Sequence, residues 1–277
     1  MEKHIYSTKL KRRISRLGLG TGGRSSDRSI ESEWVSALVR AFELGIRLID
    51  TAEIYSGGFA EEIVGKAIKN WSGSREELFI VTKVHPSNLD EEKLRRSIRN
   101  SLSRLQLDYI DSYLIHWLEP TTDLGRAMKN MEKLWEEGLV LSIGVSNFSL
   151  KQIEEARSCL SHTDIAIVEN RYSLMYRRDE RDLLPYLFRE NIIYLAYTPL
   201  EKGFIAKDQV LIEIGKKYNR TPIQIALNWY FKRGVIPIPR ASSIPHVEEL
   251  AGSLDFELSE KDFDYINKVF EKYIVVS

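Results

Sequence analysis

Four residues of this sequence carry side chains that hold or move protons, and each of them stands at or just beyond the end of a short aliphatic run. Asp50 follows Ile46-Arg47-Leu48-Ile49, Lys83 follows Phe79-Ile80-Val81-Thr82, and His116 follows Tyr113-Leu114-Ile115. Tyr55 stands five residues after Asp50, across Thr51-Ala52-Glu53-Ile54. A carboxylate, an ammonium, an imidazole and a phenol gathered on one rim make a place for proton transfer. Taken singly, each has an ordinary reading: Asp50 as a helix cap, Lys83 as a solvated loop cation, His116 as a satisfied structural histidine, Tyr55 as a packed surface ring.

Whether they meet depends on the elements that carry them. Short β-branched and aliphatic runs alternate with stretches of 3.6-residue periodicity and no low-complexity linker, the pattern of parallel βα units. The runs predict strands over 16–20, 46–50, 78–83, 109–116, 140–147, 165–170, 192–197 and 235–239. Amphipathic stretches at 31–44, 90–105, 124–137, 150–160, 179–190 and 221–233 predict helices between them. Ser149, the acidic start Asp90-Glu91-Glu92 and Thr221-Pro222 suit helix N-termini, and Gly45, Gly138 and Gly234 suit C-terminal caps. Eight strands in one such series predict an α/β protein, a single (β/α)8 TIM barrel domain over 1–277. Residues 1–15 predict a β-hairpin closing the barrel bottom, and 206–218 and 259–270 predict extra helices. In such barrels chemistry sits at the strand ends, where Asp50, Lys83 and His116 stand.

Composition narrows the function further. The 277 residues carry 40 Lys and Arg against 40 Asp and Glu, a formal charge of zero, which argues against nucleic acid or an anionic membrane as the main partner. A hydrophobic fraction of 43% with 29% charged residues excludes a disordered or fibrous chain. The single cysteine, Cys159, forms no internal disulfide and favours a reducing compartment. With no secretory pattern at the N-terminus and no apolar run of membrane-spanning length, a soluble cytoplasmic protein is expected. His4, His85, His116, His162 and His246 lack metal-ligand spacing, so no metal is expected. Whether Trp71, Trp135, Tyr176 and Tyr186 serve an interface or pack helices stays open, and with it the oligomeric state.

Gly18-Leu19-Gly20-Thr21-Gly22-Gly23 matches the dinucleotide fingerprint G-x-G-x-x-G, which is informative when a strand precedes it and a helix follows directly. Here six polar residues, 24–29, intervene, and the upstream Lys11-Arg12-Arg13-Ile14-Ser15 is a poor buried strand. The Rossmann reading is therefore disfavoured.

The four residues, with Gly18-Leu19-Gly20-Thr21-Gly22, Ile115-His116-Trp117, Gly144-Val145-Ser146-Asn147-Phe148, Ala196-Tyr197-Thr198-Pro199-Leu200 and Ile236-Pro237-Ile238-Pro239-Arg240, resemble the aldo-keto reductase family in family order. Its tetrad is an aspartate, a tyrosine five residues later, a lysine ending the next strand and a histidine ending the one after. The resemblance implies an NAD(P)H-dependent carbonyl reductase acting on an aldehyde, ketone or open-chain aldose. NADPH would supply a hydride that no side chain can, with NADH use plausible. Tyr55 would be the proton donor, its ordinary pKa of about 10 lowered by Lys83, with Asp50 holding the lysine and His116 orienting the carbonyl. Trp117 would be pocket wall or buried core.

By the same resemblance Ser146 and Asn147 hold the nicotinamide carboxamide and Tyr197 stacks on the ring, ordinary strand-end packing being its alternative. Gly22, Thr198 and Leu200 line the coenzyme path, and Arg240 and Ser242 serve a 2′-phosphate. Two departures follow: His246 replaces a second arginine, and Glu249 precedes Leu250 in place of asparagine. A further departure is Glu169, where the family usually has glutamine under the nicotinamide: it can still accept from the carboxamide NH2, but its charge would bear on coenzyme redox preference. The short polar segment after His116, Leu118 to Asp123, predicts an open pocket for small hydrophilic carbonyls such as sugars. The rival function is a coenzyme-binding redox sensor or regulatory subunit on the same barrel.

Overall fold

A computed structural model describes residues 2–23 and 28–274 of the chain. Of the polar stretch 24–29, residues 24–27 lie outside the described residues. Two antiparallel strands, β1 (His4–Ser7) and β2 (Arg12–Ser15), form the predicted hairpin. Eight parallel strands follow: β3 (Gly18–Gly20), β4 (Leu48–Asp50), β5 (Phe79–Val84), β6 (Ser112–Ile115), β7 (Ile143–Ser146), β8 (Ile165–Arg171), β9 (Ile193–Tyr197) and β10 (Ile236–Pro237). They pair in sequence order, and the Gly20 amide donates to the Pro239 carbonyl at 3.0 Å, joining first edge to last as a barrel requires.

The helices are α1 (Glu31–Glu43), α2 (Phe59–Asn70), α3 (Glu91–Leu105), α4 (Leu124–Glu136), α5 (Leu150–Ser158), α6 (Leu183–Arg189), α7 (Gln209–Tyr218), α8 (Pro222–Lys232), α9 (Ile244–Ala251) and α10 (Glu260–Val269). The cap residues do what their chemistry suggests. Asp90 accepts from the Lys93 amide, and Ser149 and Thr221 form reciprocal boxes with Gln152 and Gln224. Gly45, Gly138 and Gly234 follow their helices at φ of +89°, +73° and +72°.

Beyond shifts at the ends of β3, β4, β10 and α7, the sequence reading differs from the structure as follows. The helix expected over 179–190 is broken into a turn at Arg178–Glu180 and α6, because Pro185 has no N–H for the Arg181 carbonyl. Helices α2 and α9 were not expected. β6 and β7 begin about three residues later than the aliphatic runs, with Ile110 and Val140 joined by an isolated bridge below them.

Side chains alternate between two cores. Leu48, Phe79, Val81, Leu114, Ile167, Leu195, Ile236 and Ile238 fill the barrel interior. Ile49, Ile80, Ile115, Val145, Val168 and Ala196 face the helices, where Trp34, Phe42, Val64, Ile98, Met131 and Trp229 are buried. Trp71, Trp135 and Tyr186 pack in that outer layer. The hairpin stops the lower end, with Ile14 joining the interior cluster and Arg12 pairing with the buried Asp111 of the β5–β6 side. Lys9 ties it to Asp164 at 2.6 Å.

Gly144 lies on the inward phase of β7, where the register with β8 shifts. A Cβ there would stand 2.5 Å from the Ile167 carbonyl oxygen and 3.1 Å from the Leu114 side chain. Gly144→Ala therefore pushes β7 off β8 two residues before Ser146. The expected loss of stability is about 1–3 kcal/mol, read as a lower denaturant midpoint; an unchanged midpoint contradicts this packing.

Candidate active site

The alternation that fills the barrel also selects the groups at its upper rim. Asp50 comes two residues after Leu48, Lys83 two after Val81, His116 two after Leu114, Glu169 two after Ile167 and Tyr197 two after Leu195. All five therefore continue the inward-facing phase above the apolar interior. Tyr55 joins them by another route. After β4 the Thr51 amide donates to Val81 O and the Glu53 amide to Lys83 O, and the Tyr55 amide closes a turn on Ala52 O at 3.0 Å. The Glu53 carboxylate pins this loop by accepting from the His85 amide at 2.7 Å and from Asn88 Nδ2 at 3.1 Å. Sequence reasoning did not single out Glu53; its one signal was its place inside the Asp50–Tyr55 segment.

Lys83 has no exposed side-chain surface. Its Nζ donates to Asp50 Oδ1 and, at 3.1 Å, to the Thr51 carbonyl, and it lies 3.3 Å from Glu169 Oε2. The Glu169 contact is an ion-pair distance without hydrogen-bond geometry, so Oε2 has no hydrogen-bonded partner among the described residues. The same ammonium stands 5.2 Å from the Tyr55 ring centre. The His116 ring meets the Tyr55 ring edge to face at 5.6 Å and packs on Trp117 at 4.7 Å, with His85 on the other side of Trp117 at 4.9 Å. Trp117 is thus half-buried between two imidazoles and lies off the lining of the cleft, so it is not the pocket wall expected.

The charges follow from burial and neighbours. Burial opposes the Lys83 charge, but Asp50 and Glu169 outweigh it and hold the ammonium protonated above its usual range. Burial, aided by Lys83 and His85, pushes His116 down to about 3, so the imidazole is neutral at neutral pH. Tyr55 is held above its usual value because burial outweighs the opposing pull of Lys83. The lowering of Tyr55 by the lysine is therefore real but is not the net effect. Glu169 is held well above the carboxylate range by burial and then by Asp50.

A cleft of about 890 Å³ opens over these groups. Asp50, Tyr55, His116, Ser146, Asn147, Glu169 and Tyr197 line its deep end. Gly22 lies against the Tyr55 ring, where a Cβ would stand 3.1 Å from Cζ, and Thr198, Leu200, Arg240, His246, Glu249 and Leu250 line the rest of the cleft. Lys83 lies beneath the floor, and Ser242 is half-buried in the turn before α9, off the lining. Sequence reasoning missed Lys202 and Ile223, which also line it. Thr198, Glu201 and Lys202 adopt φ of +55°, +44° and +54°, so the loop after β9 keeps left-handed backbone at three non-glycine positions beside the cleft. Asn147, itself at φ +63°, ties the deep end together: its Nδ2 donates to the His116 carbonyl at 3.0 Å and its Oδ1 accepts from the Tyr197 hydroxyl at 2.7 Å.

These residues fit a dinucleotide with an amide at one end and a phosphate at the other. Glu169 Oε2, ion-paired with Lys83 but without a hydrogen-bonded donor among the described residues, is an acceptor at the deep end, and the Arg240 guanidinium on the lining donates to the Gly22 and Gly23 carbonyls.

Residues 16–271 match the model of the Aldo/keto reductase family. Methylglyoxal reductase YeaE of Escherichia coli (strain K12) is 35% identical over 260 residues, covering 92% of this chain and 90% of that protein. Glyoxal reductase of Bacillus subtilis (strain 168) is 37% identical over 238 residues, 85% of this chain and 83% of that protein. The crystal structure of an aldo/keto reductase from Klebsiella pneumoniae in complex with NADP and acetate superposes with a TM-score of 0.88 at 31% identity, covering 98% of this chain and 96% of that one. The barrel, the order of its rim residues and these matches agree: the chain belongs to the aldo-keto reductase family.

Proposed function

We propose that this chain reduces small reactive aldehydes to alcohols with NADPH, 2-oxoaldehydes such as methylglyoxal and glyoxal foremost, and that Tyr55 is the proton donor. Membership of the family makes the chain an NAD(P)H-dependent oxidoreductase of carbonyl compounds. The observation that carries the assignment of roles is the sealed Lys83–Asp50 pair directly beneath Tyr55 on the wall of a dinucleotide-sized cleft. The narrower substrate class is supported by the names of the two curated relatives and by the short, turned segment after His116, where the Thr122 amide donates to Glu119 O at 3.0 Å.

The coenzyme supplies the hydride for the carbonyl carbon. Tyr55 holds the balancing proton and passes it to the carbonyl oxygen, and burial ensures that it carries this proton at neutral pH. Lys83 then faces the tyrosine oxygen that has lost its proton and steadies its charge, while Asp50 keeps the ammonium ionised and aimed. His116, being neutral, can donate one ring N–H to the same oxygen without bringing a second positive charge beside Lys83. Ser146, Asn147 and Glu169 offer the polar groups for a carboxamide. Tyr197 must give up its bond to Asn147 if that amide side chain is to serve a ligand. Arg240 and His246 offer cationic or donor groups at the phosphate end, and Ser242 would have to turn inward to join them.

Loss of NADPH absorbance with methylglyoxal, glyoxal and a set of aldoses tests the activity. No turnover of any of them, with tight coenzyme retention, would instead favour the redox-sensor function. Tyr55→Phe is expected to lower kcat by about 10²–10⁴-fold while NADPH still binds; retained turnover removes the assigned proton donor. Arg240→Ala is expected to weaken NADPH about tenfold and to leave NADH unchanged, measured as the two dissociation constants. For His116 the sign runs against protonation: its folded value lies below the free value of about 6.5, so its neutral state supports the fold fully above that pH and less as pH falls toward about 3. Between about pH 5 and about pH 8 the kcat/KM profiles of wild type and His116→Gln should therefore run parallel. A break in the wild type that vanishes in the variant contradicts the neutral imidazole.

A further inference from the structure

Glu169 brings a second carboxylate to a lysine that already has one. Its side chain is 2% exposed, with Oε2 3.3 Å from Lys83 Nζ and without a hydrogen-bonded donor. Lys83 is already matched by Asp50, its closer partner, and by the Thr51 carbonyl. From the surrounding elements the groups that face Glu169 are Asp50 of β4, Lys83 of β5, Tyr55 of the following loop, Ser146 across the β7–β8 ladder and Tyr197 of β9. His116 shares the same deep end and is neutral. Among the described residues this leaves one buried cation for two carboxylates, with one negative charge in excess if both ionise.

A buried excess charge is costly, and it is relieved either by a proton or by an incoming positive charge. The nicotinamide ring decides between them: oxidised, it brings a positive charge, and reduced, it is neutral and leaves the relief to a proton. We infer that Glu169 responds to the oxidation state of the coenzyme: it keeps its proton while the ring is neutral and releases it to solvent when the positive ring lies against it. Oxidised coenzyme then binds with loss of one proton and reduced coenzyme without. The carboxyl is poised for this, because burial and Asp50 raise it well above the ordinary carboxylate range. The inference rests on the proposed placement of the nicotinamide at the deep end of the cleft.

The test is calorimetric titration of the intact protein with NADP+ and with NADPH, in buffers of different ionisation heat, across about pH 6 to about pH 9. The ratio of the two dissociation constants cancels groups that both coenzymes meet alike, such as the 2′-phosphate and His246. In the wild type NADP+ should release a proton that NADPH does not. The ratio should move in favour of NADP+ by up to about tenfold per pH unit as pH rises through the titration of Glu169. Glu169→Gln should flatten that dependence and weaken NADP+ relative to NADPH. Equal proton release for both coenzymes, or a pH-dependent ratio unchanged by Glu169→Gln, overturns the inference. If the variant does not fold, the wild-type proton count decides alone. Failure of either dinucleotide to bind overturns instead the coenzyme reading beneath it.

Discussion

An ammonium group with no exposed surface is tolerable in a protein only when an opposite charge and a carbonyl meet it in the right place, and Lys83 depends on both. The pair is made by neighbouring parallel strands. Asp50 sits opposite Val81 in the ladder, so Lys83 lies one inward step further along β5, within reach of the carboxylate. A slip of one residue between β4 and β5 would turn Lys83 outward into the helical layer, where Ile80 and Val84 now pack. The closed barrel, the stoppered lower end and the pinned loop after β4 all serve to hold that one register. Tyr55 and the cleft are arranged above it.

The rim residues were legible because the two-residue alternation that buries Leu48, Val81, Leu114 and Ile167 continues into polar residues without a break. Strand order was legible too, since eight similar βα units leave few other closures. Helix α2 escaped because Ser56-Gly57-Gly58, with φ of +51°, +65° and +94°, reads as open loop, and α9 because its short stretch was read as a phosphate motif. Pro185 could have warned against a continuous helix through 179–190.

What could not be read was which rim residues face one another across the barrel. Lys83 and Glu169 lie on strands separated by β6 and β7, so their contact follows from curvature and closure, which no spacing in the chain records. The same is true of the triangle of His116, Asn147 and Tyr197. The sign of the lysine's effect on Tyr55 was available from charge alone. The larger opposing effect of burial belongs to the whole assembled rim.

The sealing of Lys83 also has a bearing on covalent chemistry at lysine. Acylation and reductive alkylation need a free, unprotonated amine that a reagent can reach, whereas this nitrogen lies under the cleft floor with its protons bonded to the Asp50 carboxylate and the Thr51 carbonyl. Lysines such as Lys93, half open to water, offer such reagents an accessible amine. A lysine-directed label or surface coupling therefore spares the one lysine beneath Tyr55, and the protein can be tethered through its outer amines with its buried ammonium intact.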